Sequence, residues 1–265
     1  KRALVQRRAA PMPRLSDLVS DRVWRVPKPT SDRIVLSSAL GSTSAARVRS
    51  SGWSVEGWAA TAIVTALAAL TRLTNLGSPT DAGTPIFDEE HYAPQAWQLL
   101  HNFGVEDNPG FGLVVHPPLG KQLIAVGEVM FGYTGLGWRL MAAVFGVALA
   151  VLVTRIVRRI SRSTLVGAMA GLLVVADGVS FVASRTALLD IFMTVFVVAA
   201  FGALMVDRDQ VRMRLQNAWL EDRIDETPWG PRLGVRWWRF GAGVLLGLSC
   251  ATKWSGLYYV IFFGL

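Results

Sequence analysis

The sequence is poor in cysteine and in charged residues. It contains one cysteine, Cys250, in 265 residues, which excludes an internal disulfide bond and any zinc site built from cysteines. Only 17% of the residues are charged, against roughly 25% in soluble domains. Hydrophobic residues make up 52% of the chain. This composition indicates a membrane protein.

Acidic residues are also fewer than basic ones, and the basic excess is concentrated at the N-terminus. Residues 1–56 hold eleven Lys and Arg but four Asp and Glu, within a chain of net charge +8. A basic segment can bind nucleic acid, but apolar segments follow this one directly, which favours a cytoplasmic tail beside anionic lipids. We therefore expect membrane lipids, and no nucleic acid, as partners of a basic cytoplasmic N-terminal segment.

Six apolar stretches predict membrane-spanning helices, since about 20 mostly apolar residues cross a bilayer. The short connections predict two tight helical hairpins, one from the third and fourth stretches and one from the fifth and sixth. The first stretch begins only near residue 57, so no cleavable signal peptide is expected, and the last predicts that the protein continues beyond the given residues. The predicted fold is an all-α polytopic membrane protein. The six stretches are 57–73, 140–154, 164–184, 188–206, 240–252 and 255–265.

Lys and Arg are divided unevenly between the two sides that these helices define. Residues 1–56 hold eleven, 154–163 hold four and 207–239 hold seven, so one side carries 22 of the 27. By the positive-inside rule, that side and the N-terminus are cytoplasmic. The extracytoplasmic side then comprises 74–138, 185–188 and 253–255.

The stretch FDEEHY (87–92) places three consecutive acids in the first extracytoplasmic loop. Residues 92–103 repeat apolar side chains at helical spacing. This predicts a helix along the membrane surface, with Pro94 in its first turn and Asp88 to Glu90 just ahead of it. Because the helix dipole favours acids at a helix start, local structure explains this stretch, taken alone, as well as catalysis does.

Two further features favour a functional site in this loop. The stretch VVHPPLGK (114–121) brings His116 and two prolines into it, and the prolines are expected to stop any helix there. The basic residues of this side are single, and charge at membrane depth is costly and usually paired or functional. They are Arg72, Lys121, Arg139, Arg185 and Lys253.

Two acids flank the hairpin of the third and fourth predicted spans. Asp190 lies just inside the fourth helix, and Asp177 lies in the outer half of the third. These two acids could pair with Arg185, cap helix ends or act in catalysis. For Asp177 a structural role is favoured. Carboxylates and single cations would thus face one another at the outer leaflet, where a carboxylate can act as a base and cations can hold a phosphate. The residues predict a membrane enzyme acting on a lipid-linked phosphate substrate.

Four motifs occur in an order and at spacings that resemble the protein O-mannosyltransferase family. They are FDEEHY, VHPPLGK, SRTALLD and ATKWSGL. The chain is most similar to actinobacterial members over about 57–265, roughly the N-terminal half of such an enzyme, whereas 1–56 match nothing. The resemblance implies a GT-C-type transmembrane helix bundle of glycosyltransferase family 39, with surface helices in the first extracytoplasmic loop.

The resemblance also implies an activity and its partners. It implies inverting transfer of mannose from polyprenyl-phosphate-mannose to Ser or Thr hydroxyls of exported proteins, at the extracytoplasmic face of a multi-pass cell-membrane protein. Contact with the protein export machinery is expected with it. Because the leaving group is already a phosphate anion, such a transfer needs one essential carboxylate, unlike glycoside hydrolysis, which uses two.

The resemblance assigns roles residue by residue. The family's Asp-Glu pair matches Asp88-Glu89, which implies Asp88 as the base and Glu89 as its substrate-positioning neighbour, while Glu90 lies outside the pair. On the phosphate side it matches Arg139 and Lys253. The residues expected to bind substrate are Arg72, His116, Lys121, Arg139, Arg185, Asp190 and Lys253.

Three alternatives stay open at this point. A related GT-C enzyme could use another lipid-linked sugar, such as an arabinose donor. A transporter would place charges near the membrane midplane and often shows repeats, neither of which is found here. A metal site from Asp88, Glu89, His91 and His116 would suit Mg or Mn, but the resemblance requires no metal, so no cofactor is expected.

Overall fold

The computed structural model describes residues 54–78, 84–106, 115–224 and 226–264, and within these ranges all regular structure is helical. The segment predicted for 1–56 therefore lies almost wholly outside the described residues. The larger compact unit includes 45–205 and 238–265, and 206–237 belong to a second unit. The helices are α1 Val55–Leu73, α2 Glu89–His101, α3 Leu119–Phe131, α4 Gly135–Ser161, α5 Thr164–Ala176, α6 Gly178–Ala183, α7 Leu189–Leu220, α8 Trp237–Thr252 and α9 Gly256–Gly264.

Helix α4 is the centre of the larger unit and packs against α1, α3 and α5. Its Phe145 ring meets Phe192 and Phe196 of α7 edge to face, at 4.9 and 5.7 Å between ring centroids. The backbones of α3 and α4 approach closely at Gly127 and Gly137, where a Cβ on Gly127 would collide with the carbonyl oxygen of Gly137. This core positions α2, whose start carries Asp88 and Glu89, and α3, which carries Lys121.

Helices α4 and α7 are each long and apolar enough to cross a membrane, and α5 is a shorter apolar helix. Apolar side chains on α1 and α5 remain exposed, including Ile63, Leu70, Leu165 and Leu173 at 60–70%. Exposed apolar surface of this kind is suited to contact with lipid. The full set of six crossings stays a prediction.

Helix α2 begins earlier than expected, so the prediction for Pro94 was wrong. Asp88 is the residue before the first turn, and Glu89 and Glu90 are the first two residues of α2, which puts Pro94 inside the helix rather than in its first turn. The backbone N–H groups of His91 and Tyr92 both bond to the carbonyl oxygen of Asp88. Two acids at the helix start suit the dipole and extend the helix toward the N-terminus.

The double proline was expected to stop any helix there, and it does lie outside the helices, but α3 begins directly after it. Pro118 is the N-cap of α3, and the N–H of Gln122 bonds to its carbonyl oxygen. Proline is tolerated at a helix start because the first N–H groups have no partner within the helix. Helix α3 was not predicted from the sequence.

The third predicted span, 164–184, is two helices rather than one. Asp177 ends α5 and caps α6, and its side chain accepts a hydrogen bond from the backbone N–H of Ser180 at 2.7 Å. Asp side chains compete with helical hydrogen bonds in this way, and Gly178 follows directly. The structural role favoured for Asp177 is confirmed.

The fourth predicted span, 188–206, is the first half of a longer helix. Helix α7 continues to Leu220. Within 206–237, Asp207 forms an ion pair with Arg236, and Arg214 donates to the carbonyl oxygens of Leu233 and Val235. These contacts tie the end of α7 to the chain that leads into α8.

Candidate active site

The second acid of the FDEEHY stretch is completely buried. Glu89 accepts hydrogen bonds from Arg139, Nε to Oε1 at 2.8 Å and a terminal nitrogen to Oε2 at 2.7 Å. It also accepts the backbone N–H groups of Ile86 at 3.0 Å and Ala187 at 2.8 Å. Both side chains of the ion pair are 0% exposed. The Glu89 carboxylate therefore joins the start of α2 to α4 and to the segment before α7.

The remaining edge of the Arg139 guanidinium also has hydrogen-bond acceptors. It points to the carbonyl oxygens of Leu76, Gly77 and Ser78 at 3.3 to 3.5 Å. These contacts hold the chain that leaves α1 against α4. The geometry makes Arg139 an internal ion partner, and its expected contact with a phosphate stays a prediction.

The first acid of the stretch, Asp88, is exposed. It makes no capping hydrogen bond with its side chain. Its backbone carbonyl oxygen accepts the N–H of Tyr92, one helical turn later, at 3.0 Å. Burial, followed by the charges of Asp88 and Asp190, raises the pKa of Tyr92 to about 12. Asp88 is thus a solvent-facing carboxylate whose charge acts on Tyr92.

His116 lies beside these groups. Its ring centroid is 6.2 Å from that of Tyr92, and its Nδ1 is buried without a hydrogen-bond partner among the described residues. Burial and the positive charges of Lys253 and Lys121 lower the pKa of His116, against the opposing influence of Asp190 and Asp88. The imidazole is therefore neutral near pH 7.

The two lysines of the site differ in exposure. Lys253 donates to Asp190 at 2.7 Å, and their side chains are 25% and 49% exposed. Lys121 pairs with Glu106, and both of these side chains are buried. Lys253, at the turn between α8 and α9, is consequently the cation that a ligand can reach, whereas Lys121 supports the site from inside.

The other two arginines form a separate cluster around the end of α1. Arg185 donates to the carbonyl oxygens of Thr71, Arg72, Thr74 and Asn75 at 2.8 to 3.1 Å. A cation at a helix C-terminus satisfies free carbonyl groups and the helix dipole. Arg72 is buried, and it donates to the carbonyl oxygen of Val174 at 2.9 Å and to the hydroxyl of Ser180 at 3.3 Å.

The structure thus divides the predicted residues into two groups. Tyr92, which was not among the predicted site residues, stands four residues after Asp88 on α2, a spacing that could have revealed it. Glu106 was missed because no local pattern links it to Lys121. The residues whose charges act on His116 are Asp88, Lys121, Asp190 and Lys253, and those held in backbone or ion-pair contacts elsewhere are Arg72, Glu89, Arg139 and Arg185.

A further acid that sequence reasoning missed is buried on α3, outside the candidate spans. Glu128 is 1% exposed, and neither carboxylate oxygen has a partner among the described residues. Burial raises the pKa of Glu128 from 4.5 to about 8. The carboxyl is therefore largely protonated at neutral pH. Its position inside an apolar stretch of the sequence could have indicated this buried acid.

Replacement of Glu128 by glutamine should raise the thermal stability of the protein above pH 5. A carboxyl whose folded pKa is raised stabilises the fold fully below the unfolded value, near 4.5, and loses that contribution as the pH rises to about 8. Glutamine keeps the shape of the protonated acid and does not ionise. The gap in melting temperature between Glu128→Gln and the parent should therefore grow from pH 5 to pH 8.

Melting curves in detergent at pH 5, 6, 7 and 8 measure this gap. The exposed Glu90→Gln is the matched control, and no comparable pH-dependent gap is expected for it because its side chain reaches solvent. A gap for Glu128→Gln that stays constant over this range would contradict the assignment of a protonated Glu128.

The fold and the site define a class: a membrane protein that is helical in its described residues, with an exposed carboxylate, a histidine and two ion-paired lysines in one site. Comparison with known proteins gives its family. Residues 134–265 match the family model of dolichyl-phosphate-mannose-protein mannosyltransferase, a segment that includes Arg139, Asp190 and Lys253 but begins after Asp88 and Glu89. Together with close relatives, this match shows that the chain belongs to the protein mannosyltransferase family.

The relatives are curated proteins named polyprenol-phosphate-mannose–protein mannosyltransferase. One from Mycolicibacterium smegmatis (strain MKD8) is 78% identical over 209 residues, which cover 79% of this chain and 40% of the relative. One from Mycobacterium tuberculosis is 71% identical over 210 residues, with the same shares. One from Corynebacterium glutamicum is 51% identical over 210 residues, or 77% and 40%. The chain thus spans about 40% of the length of these relatives.

Proposed function

We propose that this chain supplies the general base for mannosyl transfer from polyprenyl-phosphate-mannose to Ser or Thr hydroxyls of exported proteins. The observation that carries the proposal is the exposed Asp88 carboxylate, whose charge acts on the same His116 ring as the charges of the Lys253–Asp190 pair. The names of the relatives support the donor and a protein acceptor. The enzyme class and the local chemistry thus point to the same reaction.

In this reaction Asp88 takes the proton of the acceptor hydroxyl. The hydroxyl oxygen forms a bond to the anomeric carbon of mannose, while the bond from that carbon to the phosphate oxygen breaks with its electron pair. Attack opposite the leaving group inverts the anomeric centre. The polyprenyl phosphate departs as an anion, so it requires nearby positive charge rather than a general acid, and Lys253 is placed to provide it.

Asp88 suits the role of base better than Glu89 for a geometric reason. A general base must reach the proton that it abstracts. Glu89 has no exposed surface, and its two oxygens already accept four N–H groups. In this arrangement Glu89 acts through the backbone and Arg139, while Asp88 meets the substrate.

The test is mannose transfer in membranes that contain the full-length protein. Labelled polyprenyl-phosphate-mannose and a Ser/Thr-rich peptide are the substrates, and labelled peptide of inverted anomeric configuration is the expected product. A peptide in which each Ser and Thr is replaced by Ala is the matched control. Labelled product from neither peptide, with intact protein in the membrane, would overturn the proposal.

The proposal also includes the sidedness of the site. The division of Lys and Arg supports a position of Asp88 outside the cytoplasm, where exported acceptors emerge. In a Cys250→Ser background, a single cysteine at the exposed Asn102 should react with a membrane-impermeant thiol reagent in intact cells. A cysteine at the exposed Ser161, at the end of α4, should react only after the membrane is opened.

Each cysteine variant serves as the control for the other. Both should be labelled fully in permeabilised cells, because both positions are exposed in the structure. The reverse pattern in intact cells would place Asp88 in the cytoplasm and would rule out transfer to exported proteins at this site.

A further inference from the structure

Four arginines lie close together at the end of α4, away from the candidate active site. Three of them are spaced three and four residues apart, so their side chains leave one face of the helix, and the fourth is the C-cap of α4. The members of this arginine cluster are Arg155, Arg158, Arg159 and Arg162. At ~1.5 Å per residue, Arg158 lies about 28 Å further along α4 than Arg139. The cluster is therefore separate from the residues that surround Asp88.

The centre of the arginine cluster is a buried guanidinium with neutral partners. Arg158 is 9% exposed, its Nε donates to the hydroxyl of Thr164 at 3.1 Å, and a terminal nitrogen donates to the hydroxyl of Ser54 at 2.6 Å. Among the residues that the structure describes, no acid forms an ion pair with it, and the nearby acid Glu56 of α1 is exposed. A buried charge without a counter-charge is costly, and a guanidinium has five N–H donors, of which these bonds use two.

Two glycines on neighbouring helices make room for this side chain. A Cβ on Gly57 of α1 would lie 2.3 Å from the Cζ of Arg158, and a Cβ on Gly167 of α5 would lie 2.6 Å from its Cβ. The two hydroxyl partners are at the starts of the same helices, since Ser54 is the N-cap of α1 and Thr164 is the first residue of α5. The chain thus encloses Arg158 between α1, α4 and α5 and fixes its guanidinium beside two helix starts.

The other arginines lie at a depth that suits lipid headgroups. Helix α4 has 27 residues, or about 40 Å, and exceeds the ~30 Å hydrocarbon core of a bilayer. The guanidinium of Arg155 lies 4.0 Å from the ring centroid of Trp58, which is 45% exposed, and tryptophans are enriched at the membrane–water interface. Arg159 and Arg162 are exposed. A ligand in the headgroup layer can therefore reach the cluster.

We propose that the arginine cluster binds the phosphate group of an anionic phospholipid. Guanidinium groups donate paired N–H bonds to phosphate oxygens, and the anion places a negative charge beside the buried Arg158. It also offsets the repulsion between like charges three and four residues apart on a helix. The chain before α1 complements the cluster less well, because residues 1–56 hold eleven Lys and Arg against four acids.

Lipid binding by the full-length protein in detergent tests this site. Native mass spectrometry measures bound phosphatidylglycerol against zwitterionic phosphatidylcholine, and the parent should prefer phosphatidylglycerol. The double variant Arg159→Gln with Arg162→Gln removes the two exposed cations and leaves the buried Arg158 in place, so the fold should be kept. A basic residue near the membrane surface adds about fivefold in affinity, so this variant should bind phosphatidylglycerol about 25-fold more weakly.

The matched control removes the same charge from another part of the chain. Arg208→Gln with Arg212→Gln changes two exposed arginines of α7 and should keep the parental affinity for phosphatidylglycerol. An equal loss of affinity in both double variants would reveal a general attraction of lipid to basic surface and would overturn the site. Equal binding of the two lipids by the parent would overturn it as well.

Thermal melting separates bound lipid from free phosphate. A ligand that binds the folded state raises its melting temperature, so phosphatidylglycerol should stabilise the parent and the control more than the Arg159→Gln, Arg162→Gln variant. Inorganic phosphate at constant ionic strength should have little effect. If inorganic phosphate stabilises the parent equally and displaces the lipid, the cluster takes a free anion and the assignment to phospholipid is wrong. None of these results depends on mannose transfer.

Discussion

Replacement of Asp88 by asparagine should lower the rate of mannose transfer at least about a hundredfold, because general base catalysis contributes roughly 10²–10⁴-fold. Asparagine keeps the size of the side chain, but it cannot take a proton. Since Asp88 is exposed and makes no capping contact, the fold should be unaffected. The assay is transfer from polyprenyl-phosphate-mannose to a Ser/Thr-rich peptide in membranes with matched protein levels.

Glu90→Gln is the matched control for this experiment. It changes the third acid of the same stretch, which is also exposed, and its rate should stay within a few-fold of the parent. Binding of the lipid donor should survive in Asp88→Asn, because only the proton acceptor is lost. A normal transfer rate in Asp88→Asn would contradict a catalytic role for Asp88. Asp88 would then be an acid that the dipole favours at a helix start.

Removal of either partner of the Glu89–Arg139 pair should have the largest effect on stability. Breaking a buried ion pair typically costs about 3–5 kcal/mol, because the remaining charge has no partner. Glu89→Gln leaves the guanidinium uncompensated, and Arg139→Met leaves a buried carboxylate. Each variant should therefore lower the melting temperature in detergent by about 10 °C or more.

The double variant separates the charge from the packing. Glu89→Gln with Arg139→Met removes both charges and should melt above at least one of the single variants, since effects at contacting residues are not additive. Arg223→Gln is the control, because its pair with Glu221 is open to solvent and surface pairs contribute little. Single variants that melt like the parent would show that this pair does not hold the site together.

Inactivity of Glu89→Gln has a different meaning from inactivity of Asp88→Asn. If a Glu89→Gln protein melts normally but transfers no mannose, the base would be Glu89 rather than Asp88. Glu89 would then have to become accessible to the substrate. A Glu89→Gln protein that is both unstable and inactive fits the buried arrangement. Measuring stability beside activity is therefore essential at this position.

The apolar helices were the most predictable part of the fold. The first span was expected at 57–73 and is helical from Val55 to Leu73, because apolar side chains and a helix cap leave few alternatives. Helix α3 was missed because its thirteen residues include Lys121 and Glu128 and follow two prolines. Its burial depends on partners from elsewhere: α4 packs along it, and Glu106 neutralises Lys121.

The sequence by itself determined the family resemblance, the acid pair and the apolar segments, because these lie in local motifs and composition. Only the tertiary structure decided how the two neighbouring acids differ. Asp88 precedes α2 in helical conformation and Glu89 begins the helix. Successive side chains of such a backbone point about 100° apart, so the two acids face different directions. Glu89 meets Arg139, 50 residues away, and the N–H of Ala187, 98 residues away. Those distant donors hold Glu89 in the interior, whereas Asp88 is exposed, a division that no local pattern contains.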